Sequence, residues 1–429
     1  MLELLAESVV TALLPFILSA VAIILYVSLG FFPFSQLKKN FFSLFSRGDS
    51  SSWRALSVAL AGTLGVGNIV GVAYAVTTAG AGALFWMWVS AFLAMILKYS
   101  ETLLAIKYKR NGVGGAMYYI PHRFFAIAFA TLCIASSFTV GNLLQSKAVS
   151  DAFKIGFSLS PYLIGITLAT FTLIVIWRGI QRITKFCSFV IPFLSLVYLL
   201  MCTTVLFKNA SVIPSLFENI IREAFSLKAI VGGVGGTGIF YAIKVGFSKG
   251  LITNEAGCGT APIAHASSTT ESGVKQGLLG VIEVFFDTVI LCTASGLVFL
   301  IARQNNPTLE GYELVWAAFS QMFGKITSFL LPLCIFFFVL ATLVSWSYYG
   351  KTALSFFTKN RMIHTLYLIM FSVVAFLGSV GEAKIFWHLS DITLGLMALI
   401  NTGYLLYFRK DIQSETQKFL TNETHPTAK

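Results

Sequence analysis

Eleven apolar stretches follow one another along the 429 residues, at about 9–33, 55–79, 83–106, 124–150, 161–177, 186–207, 229–247, 276–302, 326–350, 364–380 and 385–408. Most are near the ~20 residues that carry a helix across a bilayer. In lipid every backbone N–H and C=O must be satisfied within the chain, so segments of this length span as helices. The chain is 56% hydrophobic and 11% charged, where a soluble domain carries about 25% charged residues. The expectation is an all-α, polytopic membrane protein of about eleven spans.

A net charge of +12 could mean nucleic acid, or basic residues gathered in cytoplasmic loops. Their placement favours the loops. With the amino terminus outside, most of the 30 Lys and Arg fall on the inner side. Lys38, Lys39, Arg47 and Arg54, then Lys107, Lys109 and Arg110, then Arg178, Arg182 and Lys185 share that side with the Arg409-Lys410 tail. No aromatic-interleaved basic module is present, which argues against a nucleic-acid partner. Glu3 and Glu7 replace the positive start of a cleavable signal, so the first span is expected to be retained. Six scattered cysteines show neither paired spacing nor a ligand cluster and are expected to pack as small core residues.

Two of the apolar stretches carry clustered glycine: Gly62-Thr-Leu-Gly-Val-Gly-Asn-Ile-Val-Gly71, and Gly232 to Gly238, where five of seven residues are glycine. Each glycine weakens a helix by roughly 1 kcal/mol, and bared peptide groups at membrane depth are tolerated only beside a cavity or ligand. Close helix packing is the plainer explanation for such glycines. The density here exceeds what packing needs, and four spans separate the clusters. The expected domains are an accessory helix and cytoplasmic loop (1–54), a first five-helix repeat (55–224), a second, inverted one (225–410) and a disordered cytoplasmic tail (411–429). The loop 303–325 is expected outside, and Gly250 to Gln276 as short helices at the cytoplasmic mouth.

A helix broken at Gly65 and Gly67 offers amides to an anion at one end and carbonyls to a cation at the other. A zwitterion travelling with a monovalent cation fits that pair of ends. Asn68 follows the break and offers a neutral oxygen to a cation, or a helix-to-helix bond. Thr342 offers a hydroxyl, or bonds back to its own helix. Gln145 can meet a substrate or bridge helices. Lys147, Glu283 and Asp287 lie within apolar stretches, where ionisable groups are costly unless paired, hydrated or functional, and form a possible coupling set. Lys147 has three readings: pairing with Glu283, standing as a built-in cation, or snorkelling to the outer interface. The five histidines form no metal or catalytic motif and no P-loop occurs, so neither an enzyme nor an ATP-driven pump is indicated and no cofactor is expected. A passive channel and a lipid enzyme are the rival classes.

The stretches Ala61 to Ala73, Leu84-Phe-Trp-Met-Trp-Val89, Gly114-Gly-Ala-Met-Tyr-Tyr-Ile120, Gly250 to Ala266 and Trp346-Ser-Tyr-Tyr-Gly350 resemble the alanine or glycine:cation symporter family of prokaryotic transporters. Asn254-Glu-Ala-Gly257 with Ala261-Pro-Ile-Ala-His265 is the most specific part. The resemblance implies a LeuT-like five-plus-five inverted-repeat core with one extra N-terminal transmembrane helix. It implies import of a small neutral amino acid such as alanine or glycine with sodium, by a protein of the bacterial inner membrane, here expected to be a monomer. By position, Thr63, Gly65, Val66 and Gly67 would surround the substrate, with Val66 and Gly67 amides and Gln145 toward its carboxylate. Gly233, Val234, Gly235, Gly236 and Thr237 would form the opposite wall. One cation position is implied at Asn68 and the Thr63 carbonyl, another at the Ala61 and Leu64 carbonyls with Thr342. The chain departs from the pattern at Val66 and Ala341, each lacking a hydroxyl, and at Lys147, Glu283 and Leu394. Coupling to protons instead of sodium is the near alternative.

Overall fold

The computed structural model describes residues 11–36, 50–177, 179–226 and 238–424, and its regular elements are helices. In chain order these are α1 (Thr11–Leu29), α2 (Ser50–Thr63), α3 (Gly67–Ala79), α4 (Gly82–Lys107), α5 (Arg123–Phe157), α6 (Pro161–Ile176), α7 (Ile180–Lys208) and α8 (Ile213–Ala224). There follow α9 (Gly238–Asn254), α10 (Ala261–His265), α11 (Gly273–Asn305), α12 (Gly311–Phe323), α13 (Thr327–Phe357), α14 (Arg361–Val380), α15 (Ala383–Tyr407) and α16 (Arg409–Thr424). Among the described residues seven helical runs are long and apolar enough to cross a membrane, and eight if α2 and α3, bent by 51°, make one broken span. The apolar part of α1 and all of α6 are shorter. The stretch 229–247 is described only from Gly238 onward, within α9.

Helix α4 is the centre of the packing. From Ala94 to Ile106 it is buried throughout, with α9 and α11 against its sides and α10 and α1 nearby. It can be buried on all faces because it alternates small residues with leucine and isoleucine and hides its charges in pairs. The first span packs on α4 and α15, where the Tyr26 hydroxyl donates to the Phe92 carbonyl at 2.6 Å and its ring stacks between Phe31 and Phe92. All six cysteines are free and buried.

Two segments fold further than the sequence suggested. Residues 303–325, expected as a loop, contain α12, whose Tyr312, Leu314, Val315, Ala318 and Phe319 are buried. The polar tail expected to be disordered instead forms α16. Its Ile412 and Thr416 are buried, and Thr416 Oγ1 meets the Tyr99 hydroxyl at 2.7 Å. Lys107 reaches Asp411 at 3.3 Å and Glu415 at 3.2 Å on the same helix. In both segments a sparse apolar stripe at helical spacing, docked on the bundle, outweighs a polar average.

Candidate functional site: two interrupted helices

The first interruption follows Thr63. Leu64 N–H still donates to the Leu60 carbonyl at 2.7 Å, the Gly65 and Val66 amides leave the helical ladder, and α3 opens with a π-helical turn over Gly67–Gly71 before continuing as α-helix. Glycine is needed here for close approach. A Cβ on Gly65 would lie 2.6 Å from Gln145 Oε1 and 3.0 Å from Thr342 Oγ1, and one on Gly67 2.9 Å from Thr253 Cγ2. Helices α5, α13 and α9 therefore all press against bare backbone at this point.

Polar side chains meet the bared peptide groups. The Val66 N–H donates to Gln145 Oε1 at 3.1 Å, and Gln145 Nε2 donates to the Val140 carbonyl at 3.2 Å. The Gly65 N–H donates to Asn68 Oδ1 at 3.1 Å. The Thr342 hydroxyl reaches the Leu64 carbonyl at 3.2 Å and the Phe338 carbonyl of its own helix at 3.1 Å. Thr63 turns its hydroxyl back toward Ala59 and Leu60, and Ala61 is buried in the last turns of α2. Asn68 Nδ2 donates to Asp287 Oδ1 at 2.7 Å and to the Asp287 carbonyl at 3.2 Å. Thr63, Gly65, Val66, Gly67, Asn68, Gln145 and Thr342 are thus brought together, and Asp287 joins them through Asn68.

Gly233, Val234, Gly235, Gly236 and Thr237 fall outside the described residues. The next residue, Gly238, opens α9, and Thr253, which faces Gly67, lies about 22 Å further along that helix at ~1.5 Å per residue. The helix stops at Asn254. Glu255, Gly257 and Gly259 then take positive φ angles of 51°, 79° and 75°, and Pro262 starts the five-residue α10. This segment, placed by the sequence at the cytoplasmic mouth, is buried: Glu255 is 3% exposed and Asn254, Thr260 and His265 are fully enclosed. A second interruption, Glu255–Thr260, thus follows directly on the helix whose Thr253 faces Gly67. The sequence carries alternating glycine before a proline here, within the most specific stretch of the resemblance, and the short helix expected in 250–276 is α10.

The charged residues are also sorted anew. Lys147 does not pair with Glu283; its Nζ is 2.7 Å from Asp151 Oδ1, one turn along α5, and both side chains are partly exposed. Glu283 is paired instead to Lys98 at 3.3 Å and to His265 at 2.9 Å. Asp287, a turn beyond, sits where α11 becomes π-helical over Phe285–Cys292 and faces Asn68 and Thr288 instead. Lys98, Glu101, Glu255 and His265 were missed as a group, although a lysine and a glutamate inside the stretch 83–106 were visible as costly residues.

Beside the first break, Leu64, Gly65, Asn68, Ile69, Tyr198, Leu291 and Phe338 enclose about 10 Å³, room for roughly one water molecule. A cavity of about 610 Å³ opens near the start of α2, lined among others by Ser51, Arg54, Thr184, Ser347 and Lys351. Another of about 560 Å³ opens at the far end of α3, beside Gly80, Glu223 and Arg303. Between the first cavity and the break, Ser345 Oγ donates to the Val58 carbonyl at 2.8 Å and Trp346 Nε1 to the Gly62 carbonyl at 3.3 Å.

The fold is shared with solved ion-coupled carriers. A substrate-bound, outward-open Na+-coupled sialic acid symporter superposes with a TM-score of 0.62 at 13% identity, covering 92% of this chain and 86% of that one. MhsT in complex with L-phenylalanine gives 0.60 at 14% identity, over 84% and 89%. The LeuT-like fold is what these likenesses show; the family that the chain matches makes it a multi-pass membrane transporter. The chain belongs to the sodium:alanine symporter family, whose pattern matches residues 1–428. The sodium/alanine symporter AgcS of Methanococcus maripaludis is 36% identical over 391 residues, 87% of this chain and 85% of that protein. A transporter of Haemophilus influenzae is 34% identical over 96% of each chain, and the probable sodium/glutamine symporter GlnT of Bacillus subtilis 32% identical over 83% and 76%. Members of this family are transporters, not enzymes.

Proposed function

We propose that the protein is a sodium-coupled symporter that imports a small neutral amino acid, alanine or glycine, by alternating access in the bacterial inner membrane, with its amino terminus outside and its carboxyl terminus inside. The carrying observation is the break at Gly65–Gly67, its amides met by Asn68 and Gln145 and its carbonyl by Thr342. It puts an amide that can hold a carboxylate, Val66 N–H, two residues from a carbonyl that can hold a cation, Leu64 C=O. The substrate carboxylate takes the place of Gln145 Oε1 on the Val66 amide, and Gln145 moves to a supporting contact. Sodium binds at the Leu64 and Ala61 carbonyls with Thr342 Oγ1, which already lies 3.2 Å from the Leu64 oxygen. A second position lies at Asn68 and the Thr63 carbonyl. Asp287 orients Asn68 from behind. The close packing around Gly65 and the ~10 Å³ void favour the smallest side chains. Segments 55–224 and 225–410 act as the two inverted halves.

Sodium drives the cycle only if it binds one facing state more tightly than the other. Uptake of labelled alanine into proteoliposomes, with and without an inward sodium gradient and against a panel of competing amino acids, tests the whole reading. Uphill accumulation that needs sodium and is blocked by alanine and glycine supports it; accumulation that persists without sodium, or downhill equilibration alone, overturns it. At the proposed second sodium position, Asn68→Leu is expected to abolish sodium-stimulated uptake while the protein stays inserted and monodisperse in detergent. Wild-type transport by that variant removes Asn68 from the site.

A further inference from the structure

The Glu255–Thr260 break is held in place by a buried ionic network that the proposed substrate and sodium positions do not use. Its hub is Lys98 on α4, wholly enclosed, with Nζ 3.3 Å from Glu283 Oε1 and 3.9 Å from Glu101 Oε1. Each carboxylate grips a different part of this region. Glu101 Oε2 accepts the Gly259 N–H at 3.0 Å and Asn401 Nδ2 at 2.8 Å, and that same amide donates to the Gly257 carbonyl at 2.8 Å. His265 on α10 lies between Glu283 and Gln276, its Nε2 2.9 Å from Glu283 Oε2 and its Nδ1 2.7 Å from the Gln276 side-chain amide. Glu255 closes the bend on itself by accepting from the Thr260 hydroxyl at 2.7 Å, and Lys98 is among its nearest charges.

One ammonium therefore serves two carboxylates, one holding Gly259 inside the segment that has left the helical ladder and the other holding His265 in the helix that follows it. Glycines at 257 and 259 cannot hold their own positive-φ conformation, since glycine visits every region of the backbone map cheaply. The hold must come from outside, and hydrogen bonds to a charged acceptor are the strong kind. Lys98 is the cation beside both acceptors, at 3.3 Å and 3.9 Å, and taking away one member of a buried pair is far more damaging than taking away both.

We propose that Lys98 is a positioning residue for transport: through Glu101 at Gly259 and through Glu283 and His265 at α10, it sets the shape of the second interruption and carries α10 as one body with α4 and α11. This rests on the proposed reading of Gly65–Gly67 as the transport site. Cys258 lies inside the bend, 4% exposed, and reports directly on its shape. In the full-length protein, labelling of Cys258 by N-ethylmaleimide, read by peptide mass spectrometry, is followed beside sodium-driven alanine uptake. Lys98→Met is expected to lower uptake about tenfold and raise Cys258 labelling about threefold, a size set by the charge left unpaired. Adding Glu283→Gln removes the partner charge, and the double variant is expected to return both readings to within about threefold of wild type, as a coupled pair requires. Should Lys98→Met fail to accumulate in the membrane, Glu283→Gln alone carries the labelling test, with a rise of about twofold expected. Cys258 labelling that stays at the wild-type level in these variants, or a double variant no nearer wild type than Lys98→Met, overturns the proposal. Labelling needs neither alanine nor sodium, so failure of the cargo assignment would appear separately, as absent uptake by the wild-type protein.

Discussion

At Gly65 a single methyl group separates a working site from a jammed one. A Cβ there would press on Gln145 Oε1 and Thr342 Oγ1 together, the two side chains that answer the bared backbone. Overpacking of this kind costs about 1–3 kcal/mol, and the cheapest relief is to push Gln145 off the Val66 amide. Gly65→Ala is therefore expected to cut alanine uptake at least about tenfold, with Km rising more than thermal stability falls; uptake kinetics beside a melting curve check this. Lys147 points the other way. Paired at 2.7 Å to Asp151 with both side chains part-exposed, it belongs to an ordinary i,i+4 ion pair worth about 1 kcal/mol or less. Lys147→Met is expected to leave sodium-dependent uptake and its sodium dependence unchanged, in the same assay. From sequence alone the lysine looked more consequential, because an apolar neighbourhood in the chain does not say which face of the helix a side chain leaves from.

Among the elements, the helix break at Gly65–Gly67 was legible because glycine in an apolar run contradicts helix formation twice over, in propensity and in desolvation. The Glu255–Thr260 break was not read from the sequence, because a polar stretch such as Asn254-Glu-Ala-Gly257 gives no sign along the chain of being buried. Here Glu101, Lys98 and Asn401, contributed by helices distant in sequence, supply the solvation that water would, and that long-range compensation is invisible along the chain. The same limit hid α16, whose polar average concealed Ile412 and Thr416. Its docking carries a pH dependence. Burial alone would push the Glu415 carboxyl up, but the Lys107 and Lys418 ammoniums beside it outweigh that and hold it below the ordinary carboxylate value. A depressed carboxyl contributes stability above its unfolded value and loses it as pH falls through the folded one. Protection factors in α16, corrected for the intrinsic exchange rate at each pH, are accordingly expected to hold at neutral pH and to fall once pH drops below about 4, where unpaired glutamate titrates; hydrogen–deuterium exchange across that range checks it.

At the scale of the whole molecule, the cavities near the start of α2 and the end of α3 lie at opposite ends of one broken span. That arrangement predicts sidedness. A cysteine placed at Thr184 is expected to react with a membrane-impermeant thiol reagent only from the cytoplasmic side, and one at Gln304 only from outside; right-side-out and inverted vesicles distinguish them, and reversed or two-sided labelling contradicts the proposed orientation. The seal of α2 against α13 also sets an energy scale. Ser345, Trp346 and Tyr349 all bind carbonyls of α2 through side chains, at 2.8, 3.3 and 3.4 Å. Each such bond is worth about 1 kcal/mol net, because water can replace it. Three together come to about 3 kcal/mol, equivalent to a preference of roughly 150-fold in an ion's affinity between two shapes. A latch this weak can be tipped by one captured ion, and a latch of stronger bonds would have left the machine deaf to the gradient that powers it.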